Sequence, residues 1–343
     1  MTEQAKRILQ VQDLRVEFKT RRGVASVLNG VSFDVHAGET LCVVGESGCG
    51  KSMTALALLR LIPTPPGRIS SGQVMYEGED LVKADPQRMR KIRGNRISMI
   101  FQEPMTSLNP VFTVGDQIGE ALRLHTALDE AAVRERTIDM LRQVGIPAPE
   151  RRVDDYPHQM SGGMRQRVMI AMALACEPQI LIADEPTTAL DVTVQAQIFD
   201  LLRKLQADHG TAIVMITHDM GAVAEMADRV MVMYAGRVIE QGTVDDVLSQ
   251  PLHPYTQGLI ACLPELGSSA MGERQELPEI PGMVPSIWEL GSNCAFHERC
   301  PHAMPVCRQS VPAMKVQQAP NHAVACWLYA DEQAAAERKE ATV

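Results

Sequence analysis

Eight consecutive residues, Gly45-Glu46-Ser47-Gly48-Cys49-Gly50-Lys51-Ser52, carry the most specific chemistry in this sequence. They fit G-x-x-x-x-G-K-S, with an apolar strand-like run at 41–44 before them and a helical stretch at 53–61, opened by Met53, after them. Glycines let backbone N–H groups curl around phosphate oxygens. A helix beginning near Lys51 aims its positive end at the same anion. Lys51 adds a full charge near the β and γ phosphates of a nucleotide, and Ser52 offers a hydroxyl to Mg²⁺.

Two carboxylates, Asp184 and Glu185, emerge from the apolar run Ile180-Leu181-Ile182-Ala183. Asp184 suits Mg²⁺ held through water, because that ion keeps much of its hydration shell. Glu185 suits the polarising of an attacking water. A third group, Met160-Ser161-Gly162-Gly163-Met164-Arg165-Gln166, precedes a helical run at 168–175. A serine hydroxyl, two glycine amides and a helix N-terminus make a second anion receptor, although Ser161 alone could be a plain helix cap. One chain does not need two γ-phosphate receptors for one nucleotide. The second is therefore expected to serve ATP bound to another subunit.

The elements that must position these groups read as an α/β fold. Val11, Leu14, Val16 and Phe18 suggest one strand, and Val31, Phe33 and Val35 another, as an antiparallel start. Short apolar runs at 97–101, 180–183, 212–216 and 230–234 resemble buried parallel strands. Between 114 and 146 the pattern is helical. Ten of the 21 prolines lie between Pro251 and Pro320, which predicts a small appended domain with little regular helix, beginning around 264–285. Residues 331–343 read as a polar tail, a frayed helix at most. No run of about 18 apolar residues exists to span a bilayer, and residues 1–7 are too polar for a signal peptide. These features predict a cytosolic chain that reaches a membrane only through partners. The net charge of −9 argues against a nucleic-acid partner.

With these motifs in order, the sequence resembles an ABC transporter ATPase from Leu14 to about Val247. Ile100-Phe101-Gln102-Glu103 resembles that family's Q-loop, Ala189-Leu190-Asp191 its D-loop and Ile216-Thr217-His218-Asp219 its switch histidine. The resemblance implies an ABC-type P-loop fold: a RecA-like α/β core with an antiparallel β subdomain and a helical subdomain at about 105–175, the whole ATPase domain covering 7–255. It implies that Gln102 touches Mg²⁺ or water, and that His218 meets the γ-phosphate. It gives Asp191 a place at the nucleotide, and implies a docking groove for a permease helix near residues 105–110, including Leu108. An aromatic should stack on adenine; Phe18 is the candidate, with Arg22 as the alternative. Met160 and Met164 stand where the family usually has Leu and Gln, and neither change removes a phosphate-contacting group.

Beyond the ATPase domain, His253-Pro254-Tyr255-Thr256, Ile280-Pro281-Gly282 and Cys294, Cys300 and Cys307 follow in the order of the dipeptide and oligopeptide importer ATPases, D-type subunit. That resemblance implies a C-terminal extension over 256–330. It also implies a second, F-type ATPase subunit, two transmembrane permeases, an extracytoplasmic peptide-binding protein, and a place on the cytoplasmic face of the bacterial inner membrane. Close relatives carry other solutes, such as glutathione or nickel chelates. A soluble ABC ATPase would usually carry tandem domains or a coiled-coil insertion, and neither is present.

Cys294, Cys300, Cys307 and Cys326 are spaced C-x5-C-x6-C-x18-C. Four thiolates in a loop-rich segment suit either structural Zn²⁺ or an iron–sulfur cluster. The spacing leans slightly against zinc, and the resemblance implies a [4Fe–4S] cluster.

Overall fold

The structure, a computed structural model, describes residues 6–103, 107–188, 190–262, 279–317 and 322–329. Two sheets share the chain. The antiparallel one takes β1 (Arg7–Thr20), β2 (Gly23–His36), β4 (Gly67–Tyr76) and β5 (Glu79–Asp80) in the order β2-β1-β4-β5. The main sheet holds β3 (Thr40–Val44), β6 (Ile97–Ile100), β7 (Ile180–Asp184), β8 (Ala212–Ile216), β9 (Arg229–Tyr234), β10 (Arg237–Thr243), β11 (Lys315–Val316) and β12 (Ala323–Val324). Its order is β11-β12-β10-β9-β3-β8-β7-β6. The neighbours from β9 to β6 pair in parallel, whereas β10, β12 and β11 add an antiparallel edge.

The four apolar runs that read as parallel strands are β6, β7, β8 and β9. They are buried on both faces, as a sheet covered on two sides requires. Successive residues divide between two cores. Cys42, Val44, Leu181 and Ala183 face one, and Leu41, Val43, Ile180 and Ile182 face the other. The second core lies under the antiparallel sheet and α1 (Lys51–Leu58).

β1 keeps its apolar side inward through a bulge. Val11 pairs with Phe33 and Leu14 with Val31, so three steps on β1 answer two on β2. Asp13 takes the left-handed φ of 45° there, and its N–H donates to Ser32 Oγ at 2.9 Å. This is why the apolar spacing steps by three and then returns to two.

α2 (Pro86–Ile92), capped by Asp85, leads into β6. The region at 114–146 is helical, with α3 (Val114–His125) capped by Thr113 and α4 (Glu130–Gln143) capped by Asp129. After the short α5 (Pro149–Arg152) come α6 (Gly162–Leu174), capped by Ser161, and α7 (Val192–His209), capped by Asp191. α8 (Met220–Met226), α9 (Val244–Ser249) and α10 (Pro254–Ala261) complete the chain's described helices past β8. None of the described helices is long and apolar enough to cross a membrane.

The proline-rich part joins the main sheet through β12, whose anchor is Glu240 on β10. Fully buried, Glu240 accepts from the N–H groups of Leu252 at 2.7 Å and His253 at 2.8 Å, and faces His322 Nε2 at 2.8 Å. The expected polar tail at 331–343, Met105 and Ala189 lie outside the described residues, as does much of the span in which the appended domain was expected to begin.

Candidate active site

The loop between β3 and α1 bends where side chains would not fit. Gly45 has φ 148°, and a Cβ there would stand 2.3 Å from the carbonyl oxygen of Met233. Gly50, the N-cap of α1 with φ 103°, would meet Leu28 at 2.8 Å. Lys51, buried at the helix start, donates from Nζ to the carbonyls of Gly45 at 2.7 Å and Glu46 at 3.0 Å. Ser52 Oγ donates to Asp184 Oδ1 at 3.2 Å, linking α1 to the end of β7.

Glu185 follows at φ 50°, a strained position for a non-glycine residue. Its N–H donates to Ile216 O at 2.9 Å. Three side chains meet its carboxylate. Gln102 Nε2 donates to Oε2 at 3.0 Å, Thr188 Oγ1 donates to Oε2 at 3.0 Å, and His218 Nδ1 lies 3.1 Å from Oε1. Burial alone would push Glu185 up, but the bonds from His218, Thr188 and Gln102 outweigh it and hold the carboxyl below its usual range. Asp184 moves the other way. Burial raises it, and the charge of Glu185 adds to that against the bond from Ser52 and the charge of Lys51.

Of these groups, Gly45, Gly50, Lys51, Ser52, Gln102, Glu185 and His218 line one cavity of about 470 Å³, together with Val27, residues 46–48 and Met53. Cys49 is packed beneath the loop, its Sγ 3.8 Å from Lys51 Nζ. Phe18 and Arg22 do not line this cavity. Phe18 packs against the second core beside Gly67, and Arg22 sits exposed in the β1–β2 turn. The hairpin places Phe18 opposite Ala25 and sets its ring beside Gly67 of β4.

Ser161, Gly162, Gly163 and Met164 also lie outside the cavity. Ser161 and Gly162 are exposed, and Ser161 Oγ accepts the Met164 N–H at 3.3 Å. A Cβ on Gly162 would meet nothing within 4 Å. Asp191 caps α7 by accepting the Val194 N–H at 3.0 Å. Buried Gln166 ties α6 to the loop after Glu185, donating to Pro186 O at 2.6 Å. Leu108, expected near a docking groove, is buried at 4%, while Val111 and Phe112 beside it are 70% and 52% exposed.

Residues 28–188 match the family described as ABC transporter, and residues 239–307 match the C-terminal region of oligopeptide/dipeptide transporters. The chain is 53% identical to the probable peptide ABC transporter ATP-binding protein y4tR of Sinorhizobium fredii (strain NBRC 101917 / NGR234), over 93% of this chain and 94% of that one. The chain belongs to the ABC transporter ATP-binding proteins of the oligopeptide/dipeptide family. The dipeptide transport ATP-binding protein DppD of Bacillus subtilis (strain 168) is 48% identical over 94% of this ABC protein and 95% of its own length. Among solved structures, the dimeric ATP-binding cassette MJ0796, bound to ADP and Pi in a post-hydrolysis state, superposes with a TM-score of 0.63. It is 28% identical and covers 69% of this chain and 99% of its own.

The cysteines of the ABC subunit's extension require a correction. Among the described residues, no group of three or more His, Cys, Asp or Glu side chains is arranged to hold a metal ion, which overturns the expected [4Fe–4S] cluster and its zinc alternative. Burial pushes the Cys294, Cys300 and Cys326 thiols up, the last to about 11. Cys294 and Cys300 pack against the main core, and Cys307 Sγ accepts the Met304 N–H at 3.5 Å.

Sequence reasoning missed Thr188, Tyr255 and Arg299. Thr188 was within reach, three residues beyond Glu185. Tyr255 in α10 and Arg299 in the extension reach the phosphate loop at separations no local pattern reveals.

Proposed function

We propose that this chain hydrolyses ATP to drive import of peptides through an ABC transporter. The observation that carries the reading is the convergence on Glu185 of Gln102, Thr188 and His218, in the cavity that also holds Lys51 and the phosphate loop. Loop amides and Lys51 bind the phosphates. Ser52 and Asp184 offer a hydroxyl and a carboxylate side by side, an oxygen donor pair that fits Mg²⁺, which fills its shell with water and phosphate oxygens rather than a protein cage. Bound there, Mg²⁺ neutralises charge on the β and γ phosphates. Glu185, kept ionised, orients the attacking water and takes its proton, while Gln102 and His218 fix the carboxylate and report the γ-phosphate.

Ser161, Gly162 and Gly163 lie outside this chain's own cavity, which supports their service to ATP on a second ATPase subunit. The solved dimer of a related cassette supports pairing of two such subunits. The peptide transporters named among the relatives support peptide as cargo, with two permeases, a binding protein and the cytoplasmic face of the membrane completing the assembly. Affinity capture from detergent-solubilised membranes tests the proposal. Two polytopic proteins and a second ATPase should co-purify, and the complex should turn over ATP faster when peptide-loaded binding protein is added. Recovery of a monodisperse chain with no membrane partners would refute it.

A further inference from the structure

Three features of the C-terminal part play no role in the reading above: Tyr255, the Ile280-Pro281 pair, and Arg299 beside Cys300. In the fold they converge on Glu46, the first variable residue of the phosphate loop. Tyr255 in α10 accepts the Glu46 backbone N–H at 2.8 Å. Arg299 grips the Glu46 carboxylate with both arms, Nη1 to Oε2 at 2.7 Å and Nη2 to Oε1 at 3.0 Å. Its other bonds go to Tyr234 OH at 3.3 Å, Ile280 O at 3.2 Å and Pro281 O at 2.8 Å. The guanidinium has five N–H donors, and these five bonds use all of them. Its side chain is only 5% exposed and lies over the rings of Tyr234 and Phe296.

A guanidinium bonded at every donor and packed on aromatic faces is fixed in place, and a bidentate pair fixes its partner in turn. The charge matters as much as the geometry. Glu46 lines the cavity, where a lone carboxylate would repel a triphosphate. We infer that Arg299 is a positioning residue for the nucleotide: aimed by Ile280 and Pro281 and seconded by Tyr255, it neutralises and anchors Glu46, so that the C-terminal extension sets the charge and shape of the phosphate loop. This inference rests on reading residues 45–52 as the ATP site.

The test is ATP affinity of the full-length chain, read by isothermal titration. Wild type that binds no ATP overturns the reading of the loop itself. With wild-type binding in hand, Arg299→Met should weaken ATP about tenfold or more, as expected for loss of a charged hydrogen-bonded pair. Adding Glu46→Gln to Arg299→Met should restore most of that affinity, because the charge left exposed is gone. A purely structural role for Arg299 gives no such rescue. Unchanged affinity in Arg299→Met, or an equal loss in the double variant, overturns the inference. Should Arg299→Met fail to fold, Glu46→Asp decides. It keeps the charge but withdraws it from the fork by one methylene, so affinity should fall several-fold, and wild-type affinity overturns the inference.

Discussion

His218 Nδ1 stands 3.1 Å from Glu185 Oε1, joining the loops that follow β8 and β7, two strands that lie side by side in parallel. The sheet thus brings together two residues 33 positions apart in the chain. The link sets the orientation of a carboxylate able to accept a proton from water. Glu185→Gln keeps the shape and removes that capacity. ATP binding should persist while turnover of the assembled complex falls, by roughly 10²-fold or more at this chain's site. Residual turnover from a partner's own site is expected. Single-turnover measurement with the partner site disabled separates the two, and full activity there removes Glu185 from the chemistry.

Acid sensitivity follows from the same carboxylate. Its hydrogen bonds hold Glu185 below an ordinary value of 4.5. It therefore stays ionised through neutral pH, and its share of activity and stability is lost only as pH falls through the depressed value. Thr188→Val deletes one of those bonds without touching Gln102 or His218. The acid limb of the kcat profile should shift to higher pH in that variant. A limb that stays in place separates Thr188 from the tuning of Glu185.

Asp184 trades stability for metal binding. Burial and the neighbouring Glu185 raise it, so its ionised form strains the fold, and stability falls as pH rises through its raised value. Asp184→Asn should raise Tm in the absence of Mg²⁺, by at most roughly 2–4 °C per kcal/mol relieved, since the shift shrinks with chain length. It should also abolish Mg²⁺-dependent turnover. A lower Tm without Mg²⁺ contradicts the electrostatic assignment.

The parallel strands and the phosphate loop were legible in the sequence because each is a local pattern. Apolar runs buried on two faces need no partner to be recognised, and the glycine spacing encodes its own turn. β4 was not legible, since Arg68, Ser70, Ser71 and Gln73 interrupt its apolar alternation and only pairing with β1 makes it a strand. The face that Phe18 takes was not legible either, because it depends on the bulge at Asp13. Four thiols in a loop-rich segment suggested a metal because a count of cysteines along the chain does not show how their side chains are arranged in space. The Arg299–Glu46 pair spans 253 positions and is set by tertiary packing alone.

Gly162 separates a role at a partner from one within the chain. It sits at the first turn of α6 without a left-handed φ, and an added Cβ meets nothing within 4 Å. Gly162→Ala should leave Tm and ATP binding by the isolated chain as in wild type, and helix propensity even favours it. In the assembled complex it should slow ATP turnover, because the methyl intrudes where a second subunit's phosphates approach. Wild-type turnover in the complex removes the segment from the composite site.

The docking surface yields the last prediction, and here the burial of Leu108 bears on what the resemblance implied. Leu108 is 4% exposed and packed in the main core, so Leu108→Asp should unfold the region rather than uncouple it. Lost packing alone costs roughly 2–5 kcal/mol, before the price of burying a carboxylate. Val111 and Phe112, at 70% and 52% exposed, lie at the start of the helical region and present apolar surface to solvent. A permease helix seated there would bury it. Phe112→Asp should therefore keep the wild-type Tm and the ATP affinity of the isolated chain, yet lose co-purification with the permeases or lose stimulation of ATP turnover by peptide. Leu108→Asp should show the opposite pattern, with a large fall in Tm. Intact assembly and transport in Phe112→Asp would move the docking surface elsewhere on the helical region, and a wild-type Tm in Leu108→Asp would contradict its place in the core.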